Sequence, residues 1–393
     1  MTEIPSGQDS RVPHRPLLWS LLFGNFVTGT GILLPAGMLN DLAAGLNISI
    51  PEAGQIMLVG GLAVAVSAPL VAALTSRIDR RPVLVASMVL YALAHLASAL
   101  APNLDVLLAV RIAVGVGAAM FTPQAAATVG TLLPPERRAA AITMIFVGWS
   151  LSTVAGVTLG GYLAHALGWQ TVYLIVAALS VLAAVLVWMT VPGGVKIAPL
   201  NSKSWGDVFK NPALMLVLLV TVINGAAQFT LYTYLAPSLR ASLDASPALV
   251  TGVLAWFGIW AATGTAIANK LVAAYGAPLT AHAMLLTVAA GLLTWATGAN
   301  SLPLVLLAAA IWGLGNFAVQ SVQQARLAGL APNLTSASIS LNTSAIFVGQ
   351  SMGSALGGLL IKNGKMGTLP YAGAIIMLTA FAVSLFAARQ RTS

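Results

Sequence analysis

Long apolar runs separated by short polar breaks dominate the chain. Twelve of them reach the length of about 20 mostly apolar residues that a helix needs to cross a bilayer. They cover 17–43, 52–75, 82–101, 104–132, 139–164, 170–192, 213–239, 248–274, 279–298, 302–329, 336–361 and 369–388. The breaks between them carry turn and charge signals, as in Pro51-Glu52, Arg80-Arg81-Pro82, Pro134-Pro135-Glu136-Arg137-Arg138, Asn300-Ser301 and Pro332-Asn333. The runs are continuous rather than alternating, so each predicts a helix and not a strand of a barrel. The pattern predicts an all-α membrane protein with twelve transmembrane helices.

The pattern is also written twice. Leu46-Asn47-Ile48-Ser49 returns as Leu243-Asp244-Ala245-Ser246, and Gly115-Val116-Gly117 returns as Gly313-Leu314-Gly315. Pro134 returns as Pro332, and Gly156-x-x-x-Gly160-Gly161 returns as Gly353-x-x-x-Gly357-Gly358. An offset of about half the chain length means two equal halves on one plan. The expected organisation is a tail over 1–16, a six-helix bundle over 17–192, a linker over 193–212, a second six-helix bundle over 213–388 and a tail over 389–393. Two pseudo-symmetric bundles in one hydrophobic chain are the plan of a transporter.

Composition narrows the function classes. Charged residues make up 7% of the chain, against about 25% in a soluble domain. Cysteine is absent, which removes disulfides and thiolate metal sites, and four dispersed histidines do not suggest a metal centre. The chain is therefore not expected to be an enzyme, nor to carry a cofactor or metal. Its eighteen bases against nine acids do not indicate a nucleic-acid partner, because the bases stand singly or in short clusters between apolar runs.

Their distribution instead sets an orientation. With the N-terminus inside, Arg11, Arg15, Arg77, Arg80, Arg81, Arg137, Arg138, Lys196, Lys203, Lys210, Lys270, Arg326, Arg389 and Arg391 fall on the cytoplasmic side, and only Arg240, Lys362 and Lys365 fall outside. That positive-inside bias places both termini and the linker in the cytoplasm and the chain in the inner membrane, with the bilayer and a small solute as its partners. Nothing suggests more than a monomer. The tail over 1–16 is polar and lacks the form of a cleaved signal.

Several segments resemble the major facilitator superfamily. The loop Ala72-Ala73-Leu74-Thr75-Ser76-Arg77-Ile78-Asp79-Arg80-Arg81 resembles that family's signature loop, roughly G-x-L-a-D-R-x-G-R-R. Leu74, Arg77, Arg80 and Arg81 match, whereas Ala72, Ser76 and Asp79 stand where the family has Gly, Asp and Gly. The resemblance implies a cytoplasmic gate made by Arg77, Asp79, Arg80 and Arg81, with Asp79 replacing the missing carboxylate and the cluster meeting the partner half near helix 11. In the fourth span, Arg111-x-x-Val114-Gly115-x-Gly117-Ala118-Ala119 resembles the motif R-x-x-q-G-x-G-a-a. In the fifth, Gly156, Gly160 and Gly161 resemble the glycine-rich G-x-x-x-G-P-x-x-G-G motif of the proton-driven efflux branch, with Val157 in place of the Pro. The stretch Gly37-Met38-Leu39-Asn40-Asp41-Leu42 resembles the end of helix 1 in twelve-helix drug and sugar exporters, with Asp41 in place of a Glu. Gly168-Trp169-Gln170 resembles the family's entry to helix 6. The second half carries only worn copies, such as Gly264-x-x-x-x-Asn269-Lys270. The resemblance implies proton-coupled efflux of a drug, sugar or metabolite by alternating access; an importer or facilitator of a small polar metabolite is the alternative on the same fold. Independently of it, the spacing of Gly115, Gly117, Gly156, Gly160, Gly353 and Gly357 predicts close helix packing.

Polar stripes mark the expected transport path. Asn224, Gln228 and Tyr232 recur at i, i+4 and i+8 in the seventh span, and Asn316, Gln320 and Gln324 repeat that spacing in the tenth. Amides facing lipid would be left unsatisfied, so both stripes should face the interior and contact solute. Asn25 and Thr28 in the first span and Gln124 in the fourth extend the set, with aromatics such as Trp149 and Phe229 as apolar walls. No acid lies near a bilayer midplane. Proton coupling is therefore expected to rest on Asp41 paired with Arg111 toward the outer side, with His95 as a further candidate. A lone Arg in a span is costly, which favours a functional reason for Arg111.

Overall fold

The computed structural model describes residues 14–196, 202–331 and 334–389. Arg11, Arg391, Pro332 and most of the two tails lie outside the described residues, as does the side chain of Lys203. Among the described residues, twelve helices are long and apolar enough to cross a membrane. They are α1 (Arg15–Gly37), α2 (Ile50–Leu74), α3 (Arg80–Ala99), α4 (Leu104–Leu132), α5 (Ala141–Leu167) and α6 (Trp169–Thr190) in the first half. The second half holds α7 (Pro212–Tyr232), α8 (Pro247–Tyr275), α9 (Ala277–Gly298), α10 (Leu302–Leu330), α11 (Ala337–Lys362) and α12 (Met366–Arg389). The loop after α2, the α4–α5 loop and the linker share one end of the bundles, called here the basic end. The far end carries Asp41.

Two spans stop earlier than their apolar runs. Instead of 17–43 and 213–239, α1 gives way at Met38 to a short helix Leu39–Leu46, and α7 gives way near Tyr234 to a short helix Leu235–Leu243. Both breaks have the same backbone shape, φ −116° and ψ 23° at Met38 and φ −110° and ψ 19° at Tyr234. The repeated Leu-Asn/Asp-x-Ser quartet then acts as a stop and a start. Asn47 and Asp244 close the short helices in the left-handed region at φ 53° and φ 49°, where Asn and Asp are the tolerated non-glycine residues. Ser49 and Ser246 next accept from the backbone N–H groups of Glu52 and Leu249, capping α2 and α8. At Ser49 the Glu52 carboxylate returns a bond to complete a capping box.

A wider π-helical turn interrupts α5 over Ser152–Val157. The Ser152 and Thr153 hydroxyls both donate to the Trp149 carbonyl, at 2.7 and 3.1 Å. Such side-chain competition for a helical carbonyl loosens the regular ladder. The turn ends at Val157, where the efflux motif carries its proline.

The glycine repeats bring helices into contact in the same way in both halves. On α5, Gly156 faces Thr30 of α1 and Gly160 faces Leu34; on α11, Gly353 faces Thr230 of α7 and Gly357 faces the Thr230 carbonyl and the Tyr234 ring. On α4, Gly115 lies against the Gly60 carbonyl of α2 and Gly117 against Tyr91 of α3. The copies on α10 behave alike, with Gly313 on the Phe257 carbonyl of α8 and Gly315 on the Met284 carbonyl of α9. Side chains there would push the backbones apart, and close backbone approach is a main source of helix association in lipid.

The halves meet mainly through α2 against α11 and α5 against α8. The linker forms a helix, Ser202–Phe209, whose Val208 is fully buried among Leu214, Val217, Leu218 and Leu327 of the second half.

Candidate transport site

In the first half, hydrogen bonds gather three helices around Trp149. The indole N–H donates to Thr122 Oγ1 at 3.2 Å. The Thr122 hydroxyl donates to Asn25 Oδ1 at 2.8 Å, and Asn25 Nδ2 donates to the Ile145 carbonyl at 3.0 Å. Trp149 is half-buried, and its ring lies 6.5 Å from that of Phe347 on α11, an aromatic contact across the two halves. Asn25, expected to contact solute directly, is instead fully buried with both ends of its amide engaged. Thr28 is likewise buried, and its hydroxyl donates to the Gly24 carbonyl of its own helix at 2.8 Å. Asn25 holds α1 against Thr122 and the α5 backbone, next to Trp149, whose ring meets Phe347 of the other half.

The stripe on α7 is sealed more completely. Gln228 Nε2 donates to Asn224 Oδ1 at 3.0 Å, and Gln228 Oε1 accepts the Trp312 indole N–H at 2.9 Å. Tyr232 sits in an aromatic box with Phe229, Phe257 and Trp312, at ring distances of 5.3, 5.7 and 6.3 Å. In this structure Asn224, Gln228 and Tyr232 therefore bind helices of one half to each other and are closed to solute. On α10, Asn316 is 8% exposed, while Gln320 and Gln324 are half-buried and are the more accessible members of the two stripes.

The loop after α2 is bound to its own half. Arg80 is buried, and its two terminal nitrogens donate to Gln124 Oε1 at 2.6 Å and to the Ser76 carbonyl at 3.0 Å. Gln124, expected to meet solute, thus accepts from Arg80, one of the arginines expected to form the gate. Arg81 stacks on the Trp188 ring of α6 at 3.9 Å, a cation–π contact at the end of a span. Asp79 caps α3 through the Arg81 N–H at 3.2 Å and takes the Gly194 N–H at 2.6 Å. Burial acts to raise the Asp79 carboxyl, but backbone N–H donors outweigh it and hold the group below its ordinary value. Arg77 is exposed. The expected meeting of this cluster with the partner half near α11 is absent among the described residues, because the bonds joining the halves lie toward the far end.

There the seam is close. Ser351 of α11 donates to the Leu58 carbonyl of α2 at 2.9 Å, and Gln350 Nε2 reaches the Met57 carbonyl at 3.5 Å. Gly61 of α2 lies under Ser351 and the Phe347 carbonyl, and Gly258 of α8 lies 2.9 Å from the Val154 Cα of α5, measured from the position of an added Cβ. Among the described residues, the hydrogen bonds between the halves therefore lie away from the basic end, and at the far end Gly54 lies under the Tyr234 hydroxyl.

The expected Asp41–Arg111 pair does not form. Arg111 is fully buried and donates to the carbonyls of Gly31 and Ile32 at 3.1 and 3.3 Å. The reason lies in Pro35, which has no N–H and leaves the Gly31 carbonyl without its usual helical donor. The arginine supplies the missing hydrogen bond, as a neighbouring side chain must in lipid. His95 is also fully buried beside Gly31, with Nδ1 at 2.9 Å from the Tyr91 carbonyl. Asp41 lies instead against His165 of α5, Oδ1 to Nδ1 at 3.2 Å.

Sequence reasoning passed over Trp312, Gln350, Ser351, His165 and Arg240. The Gln350-Ser351 pair stands out as polar within an apolar run and was the available signal; His165 and Arg240 carry no local one.

The profile of the Major Facilitator Superfamily matches residues 21–338. The inner membrane transport protein YdhP of Escherichia coli K12 is 30% identical over 377 residues, covering 96% of each chain. The uncharacterized MFS-type transporter YbcL of Bacillus subtilis 168 is 26% identical over 370 residues, covering 94% of each. Among solved structures, a bacterial homolog of the human lysosomal transporter Spinster, inward-facing and occupied, superposes with a TM-score of 0.74 at 17% identity, covering 97% of this chain and 98% of that one. The human organic anion transporter MFSD10 gives a TM-score of 0.71 at 16% identity, covering 95% of this chain and 99% of that one.

Proposed function

This chain belongs to the major facilitator superfamily, and we propose that within it the protein exports a small neutral or amphipathic solute in exchange for protons, as a monomer working by alternating access. It is a multi-pass transporter of the inner membrane. The observation that carries the solute class is the placement of the nine carboxylates. Among the described residues, only Glu52 and Asp105 fall inside a span, each in its first turn, and the other described acids stand outside. A cation at the centre would find no countercharge in the spans and would bear the full cost of desolvation. The half-buried polar groups available to line a path are Thr122, Gln320, Gln324 and Trp149, the last in ring contact with the other half. Hydroxyl, indole and amide groups suit a solute with an apolar face and a few hydrogen-bonding groups, in drug, sugar or metabolite classes alike.

Efflux rests on the resemblance of the α5 glycine run to the proton-driven export branch. Proton coupling rests on the same resemblance and on Asp41, a carboxylate at the far end beside a histidine. The test is flux in energised membranes. A panel of neutral and amphipathic solutes is offered to inside-out vesicles carrying a pH gradient; saturable accumulation that collapses with the gradient is the expected outcome. Accumulation only in right-side-out vesicles would make it an importer. Saturable counterflow with no response to the gradient would make it a facilitator, a reading favoured by the absence of any acid in mid-span.

A further inference from the structure

At the far end, Asp41 and Arg240 line one water-sized niche from opposite halves. Asn40, Gly37 and Gly161 of the first half and Ala236, Pro247, Val250 and Thr251 of the second form the rest of its wall. Asp41 stands in the short helix Leu39–Leu46 and Arg240 in the matching short helix Leu235–Leu243. Asp41 contacts His165 of its own half at 3.2 Å, with His165 half exposed to the medium and the Asp41 side chain 16% exposed. Arg240 keeps its Nε buried without a hydrogen-bond partner.

We propose that Asp41, His165 and Arg240 form the site at which protons act on this transporter, as a latch that holds the far end shut. This rests on the proton-coupled reading given above and names residues for it. Arg240 stays charged at every physiological pH. With His165 neutral, the niche holds one carboxylate and one guanidinium, one from each half, and their attraction favours closure. A proton on His165 changes that balance. The carboxylate is then claimed by an imidazolium of its own half, and its pull on Arg240 across the niche falls. The contact across the halves weakens and the far end opens. By linkage, an open far end in turn favours proton uptake from the medium it faces. Histidine suits the task because its charge changes between about pH 5 and 8.

Among the described residues, no other charged side chain lines the niche. Glu52 is bound by Ser49 through both its N–H and its hydroxyl, and Glu52, Asp105, Asp244, Lys362 and Lys365 are absent from the wall. From α8 the wall receives only Pro247, Val250 and Thr251, none of which titrates.

The chain lacks cysteine, so two can be introduced for spin labels. Ala44→Cys and Ala241→Cys are exposed positions on the two short helices, one in each half and outside the niche. Labels attached at neutral pH report their separation in the full-length reconstituted protein at about pH 7.5 and about pH 5.5. The longer-distance population is expected to rise several-fold at the lower pH. His165→Gln and Asp41→Asn should each abolish that rise, and Arg240→Ala should give the longer distance at both pH values. A rise that persists in His165→Gln overturns the latch. Vesicle flux separates this from the broader reading. A pH-sensitive distance together with flux indifferent to a pH gradient leaves the latch standing and removes proton coupling. Flux driven by the gradient in His165→Gln keeps coupling and overturns the latch.

Discussion

At the basic end, Arg80 directs its donors to Gln124 and the Ser76 carbonyl, both in its own half, whereas at the far end Ser351 and Gln350 reach across to backbone carbonyls of the other half. The first arrangement is charge-assisted, buried and short. The second uses neutral donors on backbone oxygens that already serve their helix, over glycines that let the backbones approach. Charge-assisted bonds contribute roughly 1.5–3 kcal/mol and neutral ones about 0.5–1.5 kcal/mol. A transporter has to break and remake the contacts between its halves, and the weaker kind is what the structure places there. The stronger bonds make the loop after α2 a rigid part of the first half.

Breaking the far-end seam should have the largest effect. In Gly61→Leu the new side chain falls on Ser351 Oγ and the Phe347 carbonyl. Overpacking of this kind costs about 1–3 kcal/mol, enough to shift the balance of states by roughly fivefold to a hundredfold. The far end should stand open in distance measurements between labels on the two short helices, and flux should fall by roughly fivefold or more. Normal flux would mean that the α2–α11 seam is not the closure.

Gln228→Ala tests the interior of one half, which touches neither end. It leaves the Trp312 indole N–H without its acceptor, a loss of roughly 1–3 kcal/mol. The melting temperature of the purified protein should drop while the affinity for a transported solute stays the same. Weakened solute binding with an unchanged melting temperature would return the α7 stripe to the transport path.

Ser351→Ala removes one neutral bond of the seam, about 0.5–1.5 kcal/mol. A modest rise in the open population at the far end is expected, with no change in stability. If the open population does not move, the bond contributes nothing to closure.

The smallest effect belongs to Asp79 and depends on pH. Its carboxyl is held below the ordinary value, so the folded state gains from it at pH above the unfolded value near about 3.9 and loses that gain as pH falls through the lower folded value. Asp79→Asn should melt slightly below the parent at neutral pH, and the gap should narrow as the pH drops below about 4. A gap that widens on acidification would contradict the capping role.

Much of the fold is legible in the sequence, because hydropathy is a property of each segment. Apolar runs of sufficient length must become helices in lipid, where no other open structure satisfies its backbone. The repeated Leu-Asn/Asp-x-Ser quartet and the repeated glycines carry their structural meaning locally, as helix stops, caps and close contacts. The ends of α1 and α7 were less legible, since the apolar run continues through the break at Met38 and Tyr234.

The partners of the polar residues lay beyond that reading. Periodicity determined that Asn224, Gln228 and Tyr232 avoid lipid, but facing the interior of one bundle and facing the space between two bundles are the same instruction in sequence. A modest rotation of α7 decides between them, and packing against Trp312 and Phe257 sets that rotation. In the same way the sequence by itself determined twelve spans, their duplication and a lone arginine in α4. Only the tertiary structure decided that Arg111 serves the carbonyl left open by Pro35, that Arg80 takes Gln124, and that Asp41 stands beside His165 and shares a niche with Arg240. Those pairings join residues far apart along the chain, and the mutual setting of packed helices, which no single segment encodes, determines which groups come within hydrogen-bond distance.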